Sequence, residues 1–412
     1  MKKRVLIHTL IFSPDGVSTA YLYNDIALRL QERGYEVVVL TTTPHFNIVP
    51  EQVEKQPMRW KVWGICKESE YQGIRVLHVP QKKFKSTLLR LMGFCYWHVV
   101  SFFIGLAIGH VDLILSPSPP LTLGFLNLGL AKLKGCKVVY NVQEIYPDIL
   151  KLKGGAALGI LRWMEKKVYD GSDAVTTIDR VFHDTIAPRF KDPGKLHIIP
   201  NFVDTDLYHE TAWEGKLDER LFPKNDRIKL LYAGNIGHAQ SWEPLIALAD
   251  KTRDLDVEYI VIGEGAKRDY VQEEIWKRGL DHLHLLPYQP RELMPAILSY
   301  SDASFIFMAP EMDGDGFPSK VYTIMACERP MLILSGENTP IVNFLKDKDC
   351  ARLITEKDFD KKVDEMVEWL KNTNREELRT MGKNGLAVIK AKYTKEIVTG
   401  MYADLIKELI GE

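Results

Sequence analysis

Short apolar runs, each followed by a glycine- or proline-bearing loop and then a helical period, occur in two successive series along this chain. That alternation leaves few folds open. The first series runs Arg4 to Leu10, Glu36 to Thr42, Gly73 to Pro80, Val111 to Ser116, Lys137 to Val142, Asp173 to Ile178 and Leu196 to Pro200. The second runs Ile228 to Gly234, Val257 to Gly263, His282 to Pro287, Ala303 to Met308 and Met331 to Leu334. Between them lie segments such as Tyr21 to Arg33, with Leu22, Ile26 and Leu30 on one helical face. The pattern predicts parallel sheets covered by helices on both faces. A chain of 412 residues exceeds what one core usually holds. We therefore expect two α/β domains, residues 1–203 and 204–390, joined through the polar, irregular stretch 204–226, and a final helix over 391–412. Ligands of such sheets sit beyond the carboxyl ends of the strands, so the loops there are where function is to be sought.

The most informative loop is Glu311 to Pro330, EMDGDGFPSKVYTIMACERP. An apolar strand empties into an acidic, Gly-rich loop, and a short helix opens at Pro318-Ser319-Lys320. Pro presets φ at a helix start and Ser is a favoured N-cap. Val321, Ile324 and Met325 fall at i, i+3 and i+4, so one face packs inward. The helix start offers amides, a hydroxyl and an ammonium, the groups a diphosphate needs. Asp313 and Asp315 stand just before it, able to accept hydrogen bonds from sugar hydroxyls. Asp313-Gly314-Asp315 also spells a DxD, a metal-binding pattern; the lysine-bearing helix start downstream already supplies positive charge, and no metal is expected. Many strand–loop–helix turns bind nothing, so this one could also be an ordinary turn.

This segment resembles the donor-binding signature of the GT-B glycosyltransferases of family 4, in particular a bacterial subgroup with a Pro-Ser-Lys helix start and a later Met-Ala-x-x-x-Pro. The resemblance extends over most of the chain and is best at residues 4–45, 112–150, 228–270 and 302–335. It implies two facing Rossmann-like domains with a cleft between them, a C-terminal helix crossing back onto the first, metal-independent transfer of a sugar from a nucleotide-diphosphate donor, and retention of anomeric configuration. The chain departs from the family in one place. The usual pattern has two glutamates eight residues apart across this loop and helix, and counting from Ala326-Cys327 those positions are Asp315 and Thr323. Thr323 lacks the carboxylate that normally contacts a ribose. Phe317 to Lys320 resembles enzymes that build O-antigen and capsule repeats from UDP-linked amino sugars, including fucosamine-type transferases. Ser116 to Phe125, SPSPPLTLGF, resembles members acting on lipid-linked acceptors, and Ile199 to Asp204 resembles the segment closing the first half.

Other loops supply the remaining candidates. Phe12 to Thr19 follows the first strand; its Gly16 lets backbone approach a ligand, Ser18 or Thr19 can cap the next helix, and the resemblance places this glycine beside the donor phosphates. Gly234, Asn235 and Gly237 form a second loop of close backbone approach. Gly263-Glu264-Gly265 is too little for a dinucleotide fingerprint, but Lys267 and Arg268 follow at a helix start, where a cation can neutralise a diphosphate; Lys267 is preferred by resemblance. Past the strand ending at Val142, Glu144 and Asp148 are candidates to orient or deprotonate an acceptor hydroxyl. Pro44 to Gly73 reads as a long, aromatic, irregular loop on the acceptor side.

Lys82, Lys83, Lys85 and Arg90 lead into LMGFCYWHVVSFFIGLAI, 18 residues without Asp, Glu, Lys or Arg. The length is marginal for a membrane span. A buried core helix and a helix lying in the membrane interface behind a basic anchor, with Trp97 on the acceptor and membrane side, are the other readings. A span would separate strands that belong to one sheet, and the interfacial reading is preferred. The start MKKRVLIHTLIF imitates a signal peptide, but His8 interrupts a short apolar run and no small-residue cleavage site follows, so it reads as a first buried strand.

A net charge of −1 argues against nucleic-acid binding driven by bulk electrostatics. Five scattered cysteines without a CxxC favour a reducing compartment and give no zinc site. Together these features lead us to expect a cytoplasmic, peripherally membrane-associated transferase. Its donor would be a UDP-sugar and its acceptor a polyprenyl-pyrophosphate-linked saccharide. Asp315, Ser319 and Lys320 would hold the donor with help from Lys267, and Glu144 would act on the acceptor. A nucleotide-sugar 2-epimerase on the same fold and a catalytically lapsed sugar-binding protein are the alternatives. Ile397, Met401, Leu405, Ile406 and Leu409 form a stripe that marks the last helix as a docking element.

Overall fold

The computed structural model describes residues 2–61, 64–82, 86–312 and 317–411, and the chain divides into two compact units, Met1–Asn201 with Lys395–Glu412, and Phe202–Thr394. In the first unit the chain forms β1 (Arg4–His8), α1 (Ser18–Glu32), β2 (Glu36–Thr42), α2 (Pro50–Lys55), β3 (Arg59–Lys61), β4 (Cys66–Tyr71) and β5 (Ile74–Val79). It continues through α3 (Thr87–Ala107), β6 (Leu113–Pro117), α4 (Leu121–Lys134), β7 (Lys137–Val142), α5 (Ala156–Gly171), β8 (Ala174–Thr177), α6 (Arg180–Ile186) and β9 (Leu196–Ile198). The strands lie in the order β3-β4-β5-β2-β1-β6-β7-β8-β9. The stretch that imitates a signal peptide supplies the central strand: Val5, Leu6 and Ile7 are fully buried between β2 and β6.

Two local expectations need correction here. Residues 44–73 are not one irregular loop; they carry α2 and the antiparallel pair β3–β4, which extends the sheet beyond β5. β4 and β5 meet at Gln72-Gly73, both with positive φ (47° and 83°), the backbone that a two-residue hairpin requires. The strand signal is faint because CKESEY buries only Cys66 and Ser69. At α1 the N-cap is Val17 and no side chain caps the helix, so Ser18 and Thr19 lie within its first turn instead of capping it.

By length and composition alone, α3 could cross a membrane. It connects β5 and β6 of one sheet, however, and packs there through Trp97, Ser101, Ile104 and Gly105, spaced i, i+4, i+7 and i+8. A Cβ on Gly105 would lie 2.7 Å from Cδ2 of the buried Leu130 of α4, so any larger residue would have to displace that side chain. The side of α3 away from the sheet is apolar and exposed, including Met92, Tyr96, Val99 and Phe103.

The second unit comprises β10 (Ile228–Ala233), α7 (Glu243–Lys251), β11 (Val257–Ile262), α8 (Arg268–Arg278), β12 (Leu283–Leu286), α9 (Met294–Tyr300) and β13 (Ala303–Phe307). Then follow α10 (Lys320–Ala326), β14 (Met331–Leu334), α11 (Pro340–Leu345), β15 (Ala351–Ile354), α12 (Phe359–Asn372) and α13 (Arg375–Lys392). Its strands are all parallel in the order β12-β11-β10-β13-β14-β15, a doubly wound sheet whose direction of winding reverses between β10 and β13. β15 escapes sequence reading because, as an edge strand, it fully buries only Ile354.

α14 (Lys395–Ile410) returns to the first unit and packs on α1. Its buried face is Val398, Tyr402, Leu405 and Ile406, while Ile397 and Met401 of the expected stripe are exposed. A polar residue decides this rotation. The Tyr402 hydroxyl accepts from Asn141 Nδ2 (2.9 Å), which also donates to Thr176 Oγ1 (2.9 Å), while Asn141 Oδ1 accepts from the Tyr23 hydroxyl (2.5 Å) and Gln143 Nε2 (2.8 Å). Turning Met401 inward would carry the Tyr402 hydroxyl away from Asn141 and break this one buried bond, at about 1–3 kcal/mol.

Candidate functional site

In the second unit three strand-end loops converge around the β10/β13 reversal. The loop after β10 docks on the loop after β11 backbone to backbone: Gly234 N–H donates to Ile262 O (2.9 Å), Ile236 N–H to Glu264 O (2.8 Å) and Lys267 N–H to Ile236 O (2.9 Å). A Cβ on Gly263 would sit 1.9 Å from Gly234 O, and one on Gly265 2.3 Å from Ile236 O. The two glycines of GEG therefore serve chain packing, a role the sequence could show only once the loops were known to touch. Trp242 Nε1–H donates to Gly237 O (3.0 Å) and the Tyr232 hydroxyl to Asn235 O (2.7 Å), fixing the rest of the β10 loop with Gly234 and Asn235 exposed. Gly263→Ala combines this clash with a φ of 143°, and we expect it to destabilise the protein by about 2–4 kcal/mol. A melting temperature equal to that of the unsubstituted protein would show that the loops can separate freely.

Lys320 lies beneath this platform. Its ammonium is 3.8 Å from the centre of the Tyr232 ring, and a Cβ on Gly234 would come within 2.5 Å of Nζ. Burial pulls the lysine pKa down to about 7 from its ordinary 10.5. No carboxylate among the described residues pairs with it. The ring face partly offsets the desolvation, leaving a cation without a counter-charge among the described residues, next to two exposed backbone residues. Tyr232, which supplies the ring, is a buried strand residue and looks like core in sequence.

Other expected donor residues fall differently. Ser319 occupies the N-cap position of α10 but has helical dihedrals (φ −57°, ψ −24°), and its hydroxyl caps nothing. The first amides of α10 are taken up by tight turns, Val321 N–H to Pro318 O and Tyr322 N–H to Ser319 O. Positive charge at this turn therefore comes from the Lys320 side chain more than from free amides. Thr323 donates its hydroxyl to Lys320 O (2.9 Å). Lys267 occupies the N-cap position of α8 without a side-chain capping bond, and its ammonium lies over Tyr270 (5.1 Å). Arg268 is engaged with its own loop, at Gly263 O (3.3 Å) and Glu264 Oε2 (3.4 Å). Asp313 and Asp315 lie outside the described residues; among those described, no group of three or more His, Cys, Asp or Glu is placed to hold a metal.

In the first unit, Gly16 N–H donates to Asn47 O (2.9 Å), and Val49 and Asn47 fill the space over its α-carbon. The glycine expected beside the donor phosphates thus has its amide engaged within its own unit. Asp15 beside it is buried, accepts from the amides of His45 and Phe46, and is pushed above the usual carboxylate range by burial. Glu144, after β7, is half-buried; burial raises its pKa, and no hydrogen bond from a described residue holds its carboxylate. Its backbone is fixed by Ser118, whose hydroxyl donates to Glu144 O (3.3 Å) and accepts from Gln143 N–H (3.2 Å). Asp148 is not available to an acceptor: it pairs with Arg162 (2.7 Å) and Arg189 (2.6 Å), both of which also bind the buried Glu165.

Trp97 is a correction. It is fully buried against His8 and His98, because the inward stripe of α3 begins with it, and so it cannot face a membrane or an acceptor. Lys82 and Arg90 are exposed, Arg90 donating to Thr87 Oγ1 (3.1 Å); Lys83 and Lys85 lie outside the described residues.

Residues 20–207 match the family described as Glycosyltransferase Family 4, and residues 215–387 match Glycosyl transferases group 1. The chain is 26% identical over 343 residues to WcaI of Escherichia coli strain K12, named for a glycosyl transferase role in colanic acid biosynthesis; the match covers 78% of this chain and 81% of that one. Among solved structures it is similar to sucrose-phosphate synthase from Thermosynechococcus elongatus (TM-score 0.75, 14% identity, 99% of both chains). It is also similar to Anabaena Alr3699/HepE in complex with UDP and glucose (TM-score 0.71, 14% identity, 99% of this chain and 100% of that one). Two doubly wound sheets, consecutive matches to both halves of one enzyme family and likeness to these folds over the whole length agree: the chain is a GT-B enzyme and belongs to the group 1, family 4 glycosyltransferases.

Proposed function

We propose that this enzyme transfers a sugar, an N-acetylamino or deoxy sugar, from a UDP-linked donor to a polyprenyl-pyrophosphate-linked saccharide in surface-polysaccharide assembly, with retention of configuration. In this reading it works at the inner face of the membrane as a peripheral protein held by α3 and its basic flank. The observation that carries the donor half is the Lys320 ammonium, desolvated against Tyr232 and Gly234 beside the loops that end β10 and β13. A diphosphate arriving there would meet a positive charge with no carboxylate to displace among the described residues, and stabilising the charge that develops on a leaving diphosphate is the dominant electrostatic contribution to such a transfer. The nucleotide bound in HepE and the colanic acid biosynthesis for which WcaI is named support a UDP-sugar donor and a role in polysaccharide assembly.

A panel of nucleoside diphosphates and nucleotide sugars in thermal-shift measurements tests this directly, since tighter ligands raise the melting temperature more at equal concentration. A UDP-sugar should give the largest shift, and absence of a shift from every nucleoside diphosphate would overturn the donor site. The bond from the Thr323 hydroxyl to its own helix favours one other reading, a sugar-binding protein that has lost turnover. That reading predicts a shift without release of UDP when lipid-linked acceptors are added.

A further inference from the structure

The exposed apolar surface of the first unit is wider than α3. Of the 22 large apolar side chains left exposed among the described residues, 13 fall between residues 88 and 163, so the surface is a regional feature and not scatter. α3, α4 and α5 pack side by side, α4 in the middle. Phe125 of α4 and Trp163 of α5 are in ring contact (5.3 Å) and both are exposed. Ile160 stands one helical turn from Trp163, and Leu150 and Leu152 are exposed just before α5. The ion-pair square of Asp148, Arg162, Arg189 and Glu165 ties this approach segment to α5, so its leucines are held and not free to collapse inward.

Charge says what the surface fits. Residues 82–167 contain twelve Lys or Arg and four Asp or Glu, in a chain whose net charge is −1. Of those four acids, Glu165 is buried and paired, Asp148 is paired, Asp112 is paired with Lys3, and Glu144 is half-buried; of the cations, Arg162 is taken by Asp148 and Glu165, Lys137 by Asp173 and Lys166 by Asp170, which still leaves cations in excess. Apolar and aromatic side chains interleaved with lysines, as in Lys151, Lys153, Lys166 and Lys167 around Ile160 and Trp163, match an interface where acyl chains meet anionic headgroups.

We infer that α3, α4 and the segment 150–167 form one surface that docks on an anionic lipid bilayer, with Ile160 and Trp163 as a second foot beside α3. This rests on the peripheral-membrane reading above and adds a contact to it. It has a consequence for the acceptor: Leu150 and Leu152 follow Glu144 on the same stretch of chain, so a bilayer engaging them brings a lipid-linked substrate to the loop that carries this carboxylate.

The test is sedimentation of the full chain with phosphatidylcholine vesicles, with and without about a third phosphatidylglycerol. We expect binding to the anionic vesicles only. Ile160→Ser with Trp163→Ser should weaken it about tenfold or more, as should Val99→Ser with Phe103→Ser. All four positions are exposed, and melting curves check that the variants fold; Lys166→Glu with Lys167→Glu provides an independent disruption of the second foot. If the α3 variant is released while both α5 variants bind as the parent does, the second foot is overturned and the peripheral reading stands. If the parent chain binds no vesicles, both fall. If it is a dimer that the Ile160/Trp163 variant converts to monomer without any vesicle binding, the surface belongs to a second copy and the inference is overturned.

Discussion

Lys320→Met is expected to make the ligand-free enzyme more stable and to cost it its donor. The side chain is held beneath the β10 loop with its pKa pulled from 10.5 to about 7. A lysine whose folded pKa is depressed binds fewer protons in the fold than in the unfolded chain between those two values. Its penalty on stability is therefore fully present below pH 7 and fades as pH rises towards 10.5. At 1.36 kcal/mol per unit, the full penalty has an upper bound of about 5 kcal/mol. Methionine keeps the length and the contact with the Tyr232 ring and removes the charge. The melting temperature of the variant should exceed that of the parent by several degrees at pH 7, and the gap should close by about pH 10.5. The nucleotide-diphosphate shift should vanish, and kcat/KM for the donor should fall by about 10² to 10³. In the parent enzyme, donor affinity should decline as pH rises above about 7, because a diphosphate binds the protonated lysine; the variant should show no such decline. A destabilised variant that still binds donor would mean the ammonium is structural.

Glu144→Gln is expected to lower kcat by about 10² or more while leaving the donor-induced thermal shift unchanged. The carboxylate is half-buried, raised in pKa by burial alone and without a described hydrogen-bond donor, while its backbone is pinned through Ser118. Such a group is positioned yet free to accept a proton or a hydrogen bond from an acceptor hydroxyl. Because the ionised form does this work, the parent rate should fall on the acid side as pH drops through a pKa above the ordinary carboxylate range. In the glutamine variant that acid limb should disappear. An unaltered kcat with the limb intact would assign Glu144 to solvation and leave the acceptor side without a base.

The alternation of apolar runs with helical periods by itself determined the parallel strands of two α/β sheets, all but β15 placed to within a few residues, and the loops at their carboxyl ends; the antiparallel β3–β4 pair was not among them. These are local properties: a buried parallel strand must be apolar along its length, and a covering helix must present one face. Lys320 was legible as a candidate for the same reason, standing just after a strand-end loop. Wherever a residue's role depends on what lies across from it, only the tertiary structure decided. Tyr232 became the floor under Lys320, and Gly263 and Gly265 became contacts between two loops, because β10 and β11 are neighbours in the sheet. Asn141 set the rotation of α14, turning Met401 outward although its hydrophobicity matched the buried stripe. Trp97 went inward and Trp163 outward, though both are tryptophans in helices of the first unit. Which face of a helix is covered depends on its packing partners, and residues distant in sequence supply them.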